Sequence, residues 1–299
     1  MRQSAISFSI CLALQAFCPG QAAEPHFVPA ASRLAAIAAA LPAQPAGLGA
    51  PADDRARWTR AAATIPAKEL LATAQAEAEQ PTPALTDELY LRYSRDGNRT
   101  EFQQVNKRRL DRLNLFAWAE AVEHQGRFLG ALSRELAAIL DEKTWTLPAH
   151  DPKLNNFEGR WTEIDLMVAM KGWSIATVAY WHAYQLAPAL LARVRSELRR
   201  RVIEPYLKVV RESPTTDGMW WLHTDNNWNA VCHAGVLGTA LALVESREER
   251  AEIMGHAELN LEYYMRGFTP DGYCSEGIGY WNYGFGHFAM LSELVATAT

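Results

Sequence analysis

Two passages frame residues 220–284: Trp220-Trp221-Leu222-His223-Thr224-Asp225-Asn226-Asn227-Trp228-Asn229 and Glu276-Gly277-Ile278-Gly279-Tyr280-Trp281-Asn282-Tyr283-Gly284. Both are dense in aromatic, amide and glycine residues, and each leads into an apolar run with helical spacing. The first run predicts a helix over 229–244. A second follows over 248–266, with Ser246 as N-cap and Glu249 as its capping-box partner. The last is predicted to start near Tyr283 and still runs at Thr299. Each aromatic passage therefore sits on a loop that enters a helix.

The same period extends upstream. Helices are predicted over 31–41, 53–65, 67–79, 86–93, 109–124, 127–142, 164–185 and 188–211, with Pro188 suited to a first helical turn. Asp96-Gly97-Asn98 marks a turn, and Gln125-Gly126 makes 109–124 and 127–142 an antiparallel pair. No useful stretch alternates as a strand would. The prediction is an all-α chain of helical hairpins, each of about fifty residues, stacked as an open solenoid or closed into an incomplete (α/α) toroid. Loops over 145–160, 219–228 and 269–279 each begin or end a pair and so gather at one end, which favours the toroid. Outside the 31–41 helix, the Ala/Pro-rich leader 24–52 reads as linker, so the domain proper is predicted over 53–299. The face bearing Leu291, Leu294 and Val295 needs a partner, which predicts a chain that continues past Thr299.

Met1-Arg2-Gln3, an apolar stretch over 5–18 and the small residues at Gly20-Gln21-Ala22 have the layout of an export signal, cut after Ala22 or Ala23. Periplasmic or secreted placement is expected, and the stretch is short for a membrane span. Cys11 and Cys18 leave with it. Cys232 reads as a small core residue, with a bridge to Cys274 left open. The whole chain carries a formal charge of −5, and loss of Arg2 takes it to −6. Such a chain has no general attraction for polyanions. The basic run 193–201 reads as a solvated helix face, and no nucleic-acid partner is expected.

Asn226 or Asn227 serves as a helix cap, but two adjacent amides with His223 and Asp225 exceed what capping needs. A neutral amide can hold a carboxylate while charge develops on it. Gly277 and Gly279 clear space beside Tyr280, whose phenol is a candidate proton carrier; Tyr283 is the lesser one. His150 and His223 lie in the converging loops, whereas His233 and His287 fall within helices. Glu276 is either a site acid or a pin for its loop. Trp228 and Trp281 are candidate stacking surfaces for sugar rings. No metal-ligand spacing, phosphate loop or nucleophile elbow occurs, so no cofactor is expected.

On these residues the chain resembles the heparinase II/III-like polysaccharide lyases. The likeness runs over about 55–299. It includes Trp145, Pro148-Ala149-His150-Asp151, Glu163-Ile164-Asp165-Leu166, Asn226-Asn227-Trp228-Asn229-Ala230-Val231-Cys232, Pro270-Asp271-Gly272 and the passage from Glu276 to Gly284. The resemblance implies a toroid followed by a β-sandwich and cleavage of uronate-containing polysaccharides, such as glycosaminoglycan or alginate, by β-elimination. It implies that Asn226 or Asn227 neutralises the sugar carboxylate and that Tyr280 transfers a proton. A second catalytic group in such enzymes, often a His, comes from the β-sandwich, and this sequence ends before one. The expected partner is an acidic polysaccharide, with His150, His223, Trp228, Glu276, Trp281 and Tyr283 as its contacts. The alternatives are a glycoside hydrolase, with Glu276 paired to Asp225 or Asp151 across the bond, and a non-catalytic glycan-binding helical module.

Overall fold

Helix α10 (Asn227–Leu243) is built mostly from small and aliphatic residues, and every position except Trp228 and Leu243 is buried. A helix with no polar face must be surrounded. In the computed structural model, which describes residues 28–212 and 219–299, α10 lies between α7 (Leu166–Trp181) and α12 (Ile278–Ala298), with α11 (Arg247–Arg266) behind it. Glycine sets the closest approach. A Cβ at Gly235 would fall 2.4 Å from the carbonyl carbon and oxygen of Ala169, and one at Gly238 2.5 Å from Nε1 of Trp173.

The described residues form an all-α array of hairpins, as the periodicity predicts. One row runs α5 (Thr100–Glu123), α7, α10, α12, each helix touching the next. A second row covers it: α6 (Leu129–Leu140) on α5, α8 (Pro188–Leu198) on α7, α11 on α10. The predicted 188–211 helix is interrupted by a π turn, Arg199–Ile203, before α9 (Glu204–Glu212). Shorter helices α2 (Arg55–Ala62), α3 (Ala67–Ala78) and α4 (Asp87–Asp96) pack around α5. No described helix is long and apolar enough to cross a membrane. The predicted signal, 1–23, lies outside the described residues.

Four expectations change. Residues 28–52 are not a linker. Helix α1 (Ala31–Ala40) packs on α11, and Ile37 and Leu41 enter the core. The strap that follows caps the ends of the first row. The Ala46 amide donates to Leu241 of α10 (2.8 Å) and the Ala52 amide to Trp181 of α7 (2.7 Å). The Arg55 guanidinium donates to Ala121 and Val122 of α5 (2.7 and 2.8 Å). Arg250, from α11, donates to the carbonyls of Pro42, Ala43 and Gln44. Helix α5 starts nine residues before the predicted 109, because Phe102, in a polar-looking stretch, packs edge-on against Tyr90. Helix α12 begins at Ile278, with Gly277 at φ 84° as its N-cap, so Tyr280, Trp281 and Tyr283 stand on the helix and not on a loop. Its Leu291, Leu294 and Val295 are already buried in the common core, so that face has its partner within the chain.

The Ser246 cap of α11 accepts from the Glu249 amide as predicted, but the Glu249 carboxylate pairs with Arg199 instead of closing the box. Cys232 and Cys274 are both buried and unbridged.

Gly235→Ala should raise helix propensity by about 1 kcal/mol and yet destabilise the protein, because the new methyl meets backbone that cannot rotate away. We expect a net loss of about 2 kcal/mol or more in urea unfolding, and a smaller one for Gly238→Ala, whose obstacle is a side chain. A neutral or stabilising Gly235→Ala would show that the α7–α10 contact is looser than described.

Candidate active site at the converging helix N-termini

Asp165 organises this end of the molecule. It is the N-cap of α7, with Oδ1 accepting from the Val168 amide at 2.8 Å. Oδ2 accepts from the Leu147 amide at 2.9 Å and lies 2.7 Å from Nδ1 of His150. The Asp165 side chain is fully buried. An ionised carboxylate only accepts, so the His150 proton sits on Nδ1 and Nε2 carries the lone pair. His150 closes a 3₁₀ turn, Pro148–His150, whose proline presets the backbone.

The other two loops arrive beside it. The His150 ring lies 4.7 Å from that of Trp228, in the first turn of α10, and Trp220 lies 4.9 Å from Trp228 on the far side. The Glu276 carboxylate, just before α12, accepts from the Asn227 backbone amide at 2.7 Å and from its Nδ2 at 2.6 Å. Helix α12 approaches closely here because Gly284 has no side chain; a Cβ there would lie 3.0 Å from that of Asn227. The Tyr283 hydroxyl reaches Sδ of Met170, on α7, at 3.3 Å. The N-termini of α7, α10 and α12 therefore meet at one end, where their dipoles favour negative charge.

A cleft of about 340 Å³ opens there, with His150, Asn156 and Glu163 among its walls. Burial, then the neighbouring Asp165 and Asp151 carboxylates, push the Glu163 carboxyl up to about 7, against the opposing pull of His150. It exchanges its proton near neutrality. Burial also pushes the Tyr283 phenol up to about 12, so it keeps its proton.

The expected residues divide accordingly. His150 and Trp228 come together. Asn226 is the cap of α10: its Oδ1 accepts from the Trp228 amide at 3.0 Å, leaving the Nδ2 donor. Asn227 is only 3% exposed and its amide is committed to Glu276, so it does not face a ligand, and its Oδ1 is buried without a partner. Glu276 is a pin and not an acid over the cleft. His223 stacks on Tyr263 of α11, 4.8 Å away, outside the contacts that His150 makes. Trp281 stacks on Phe285 at 4.9 Å and donates to the Gly272 carbonyl at 3.1 Å. Tyr280 is 57% exposed. His233 and His287 are buried as expected, and burial lowers both.

The hydrolase pair does not form. Asp151 is buried and accepts from the Tyr90 hydroxyl and from the amides of Asn156 and Phe157, at 3.0, 3.1 and 2.8 Å. It shapes the loop. Two residues of this end escape a reading of isolated residue types. Asp165 looks like a cap and Glu163 like loop polarity; their one signal is an acid pair, two apart, at the end of a long loop that carries a histidine.

The folded chain holds the Glu163 proton more tightly than the unfolded chain does. That group therefore stabilises below its ordinary value of 4.5 and loses the contribution as pH rises through about 7. After screening at this partly exposed position we expect about 1 kcal/mol, or ~2–4 °C in melting temperature. Glu163→Gln should flatten the decline between those limits, and an unchanged pH profile would reject the assignment. Asp165→Asn should cost about 1–3 kcal/mol in chemical unfolding, since a cap and a buried amide lose their acceptor.

No family model and no curated protein matches the chain, and the reading of its function rests on its own residues.

Proposed function

We propose that the two helical rows are part of an incomplete (α/α) toroid and that the chain is an exported polysaccharide lyase, or the helical part of one, acting on a uronate-containing glycan. The observation that carries this reading is the His150–Asp165 pair: a histidine with Nδ1 fixed by a buried carboxylate and Nε2 left for a ligand, on a cleft wall beside an aromatic ring.

In β-elimination the base takes the proton from C5 of the uronate. The electron pair left on C5 forms the C4–C5 double bond as the C4–O4 bond breaks, and O4 leaves with a proton from an acid. His150 Nε2 is the base in this scheme. The Nδ2 donor of Asn226 receives the sugar carboxylate, where negative charge grows as C5 loses its proton. Glu163, while protonated, adds a second donor to it. Tyr280 gives the proton to O4. It stands one turn before Tyr283 on the same face of α12, toward the open end.

A second reading, a glycan-binding module without turnover, is favoured by the commitment of Asn227 to Glu276. Incubation with polymannuronate, hyaluronan and heparin, followed by ultraviolet absorbance of the unsaturated end, separates them. We expect absorbance to grow with at least one polymer and to fall by about 10²–10⁴ in His150→Asn. Binding with no unsaturated product would select the module, and cleavage giving saturated ends would refute elimination.

A further inference from the structure

The loop that holds His150 continues to an exposed tryptophan. Trp161 is 46% exposed, although burial is the usual fate of so large an apolar surface. It stands on the wall of the cleft already described and also on the wall of a second, larger groove of about 490 Å³, which runs along α9. One indole thus separates two adjoining cavities.

The second groove differs in charge from the rest of the chain. Five cationic side chains, Arg160, Arg199, Arg200, Lys208 and Arg211, line it against the acids Glu204 and Glu212, whereas the chain as a whole is −5. Several of these cations have carboxylate partners: Arg199 pairs with Glu249 and Glu204, Arg200 with Glu197 and Arg211 with Glu252. A guanidinium has five donors, so one carboxylate does not exhaust it. Lys208 is exposed on α9. Between the charges lie apolar side chains, among them Leu207 and Val209. Apolar floor, aromatic edge and cationic rim together suit a polymer of rings that are apolar on their faces and anionic at their edges.

We infer that this groove is a binding subsite for further sugar units of an acidic polysaccharide, with Trp161 stacking on a ring and Arg200 and Lys208 receiving its carboxylate or sulfate groups. The inference rests on the proposed function for its choice of ligand class. It makes the enzyme a reader of polymer length: a chain held in the His150 cleft passes over Trp161 and is gripped again beyond it. A neutral glycan of the same size gains only the stacking.

The test is affinity electrophoresis of the full chain in gels containing heparin or polymannuronate, with dextran as the neutral control. The variants are Trp161→Ala, Arg200→Gln combined with Lys208→Glu, and His150→Asn, each checked by circular dichroism. Both groove variants should bind at least one acidic polymer about tenfold more weakly than the parent, and dextran should not retard the parent. Parent-like affinity in both groove variants, equal retardation by dextran, or no retardation of the parent by either acidic polymer would overturn the inference. Failure of the chemistry is read separately. If His150→Asn leaves turnover intact while the groove variants lose binding, the groove stands and the proposed base falls. If His150→Asn abolishes turnover and the groove variants bind as the parent does, the reverse holds.

Discussion

The contact between α7 and α10, made where Gly235 lies against the Ala169 carbonyl, is the constraint on which the remaining architecture depends. A helix without a polar face has no stable position except between others, and the nearer its neighbours, the more dispersion energy it recovers. That contact fixes the spacing of α7 and α10, and hence the distance between the two helix N-termini that bring Asp165 and Trp228 to one place. Gly284 does the same on the other side, letting α12 approach until Glu276 can accept from Asn227. The geometry at the open end is thus a product of side chains absent from the middle of the bundle.

That end also shows how one residue type serves two tasks. Both asparagines and three carboxylates lie within it, and most of their hydrogen-bonding capacity goes to holding loops. Asp165 stops α7 and orients a histidine. Asp151 folds its own loop around Tyr90. Glu276 binds two elements together. What remains uncommitted is small: Nε2 of His150, Nδ2 of Asn226, the Glu163 carboxyl and the Tyr280 phenol. Pre-organisation of this kind leaves few groups to reorient when a ligand arrives.

Much of the fold was legible because apolar spacing of 3.6 residues survives in every long helix, and Ser246 could be named as a cap from one side chain. The first half of α5 was hidden because its buried face includes Asn106 and Arg109, which read as surface. The start of α12 was hidden because Gly277 and Gly279 read as loop, when the first is a left-handed cap and the second a helical residue with open space around it. At the site, the meeting of three loops followed from hairpin order, but the division of labour did not. Whether Asn227 faces a ligand or Glu276 is decided by a partner 49 residues away, a separation that residue type alone does not reveal.

The strap over 42–55 deserves a last thought for what it asks of synthesis. Its partners on α10 and α11 lie roughly two hundred positions later, with Arg250 reaching back 208 residues to Pro42. Ribosomes deliver the beginning of a chain first, so this ribbon emerges long before the carbonyls and guanidinium it must meet. It carries little apolar periodicity of its own and bides its time without collapsing on a wrong partner. The array is therefore fastened last by what was made first, like a parcel whose string is laid down before the contents.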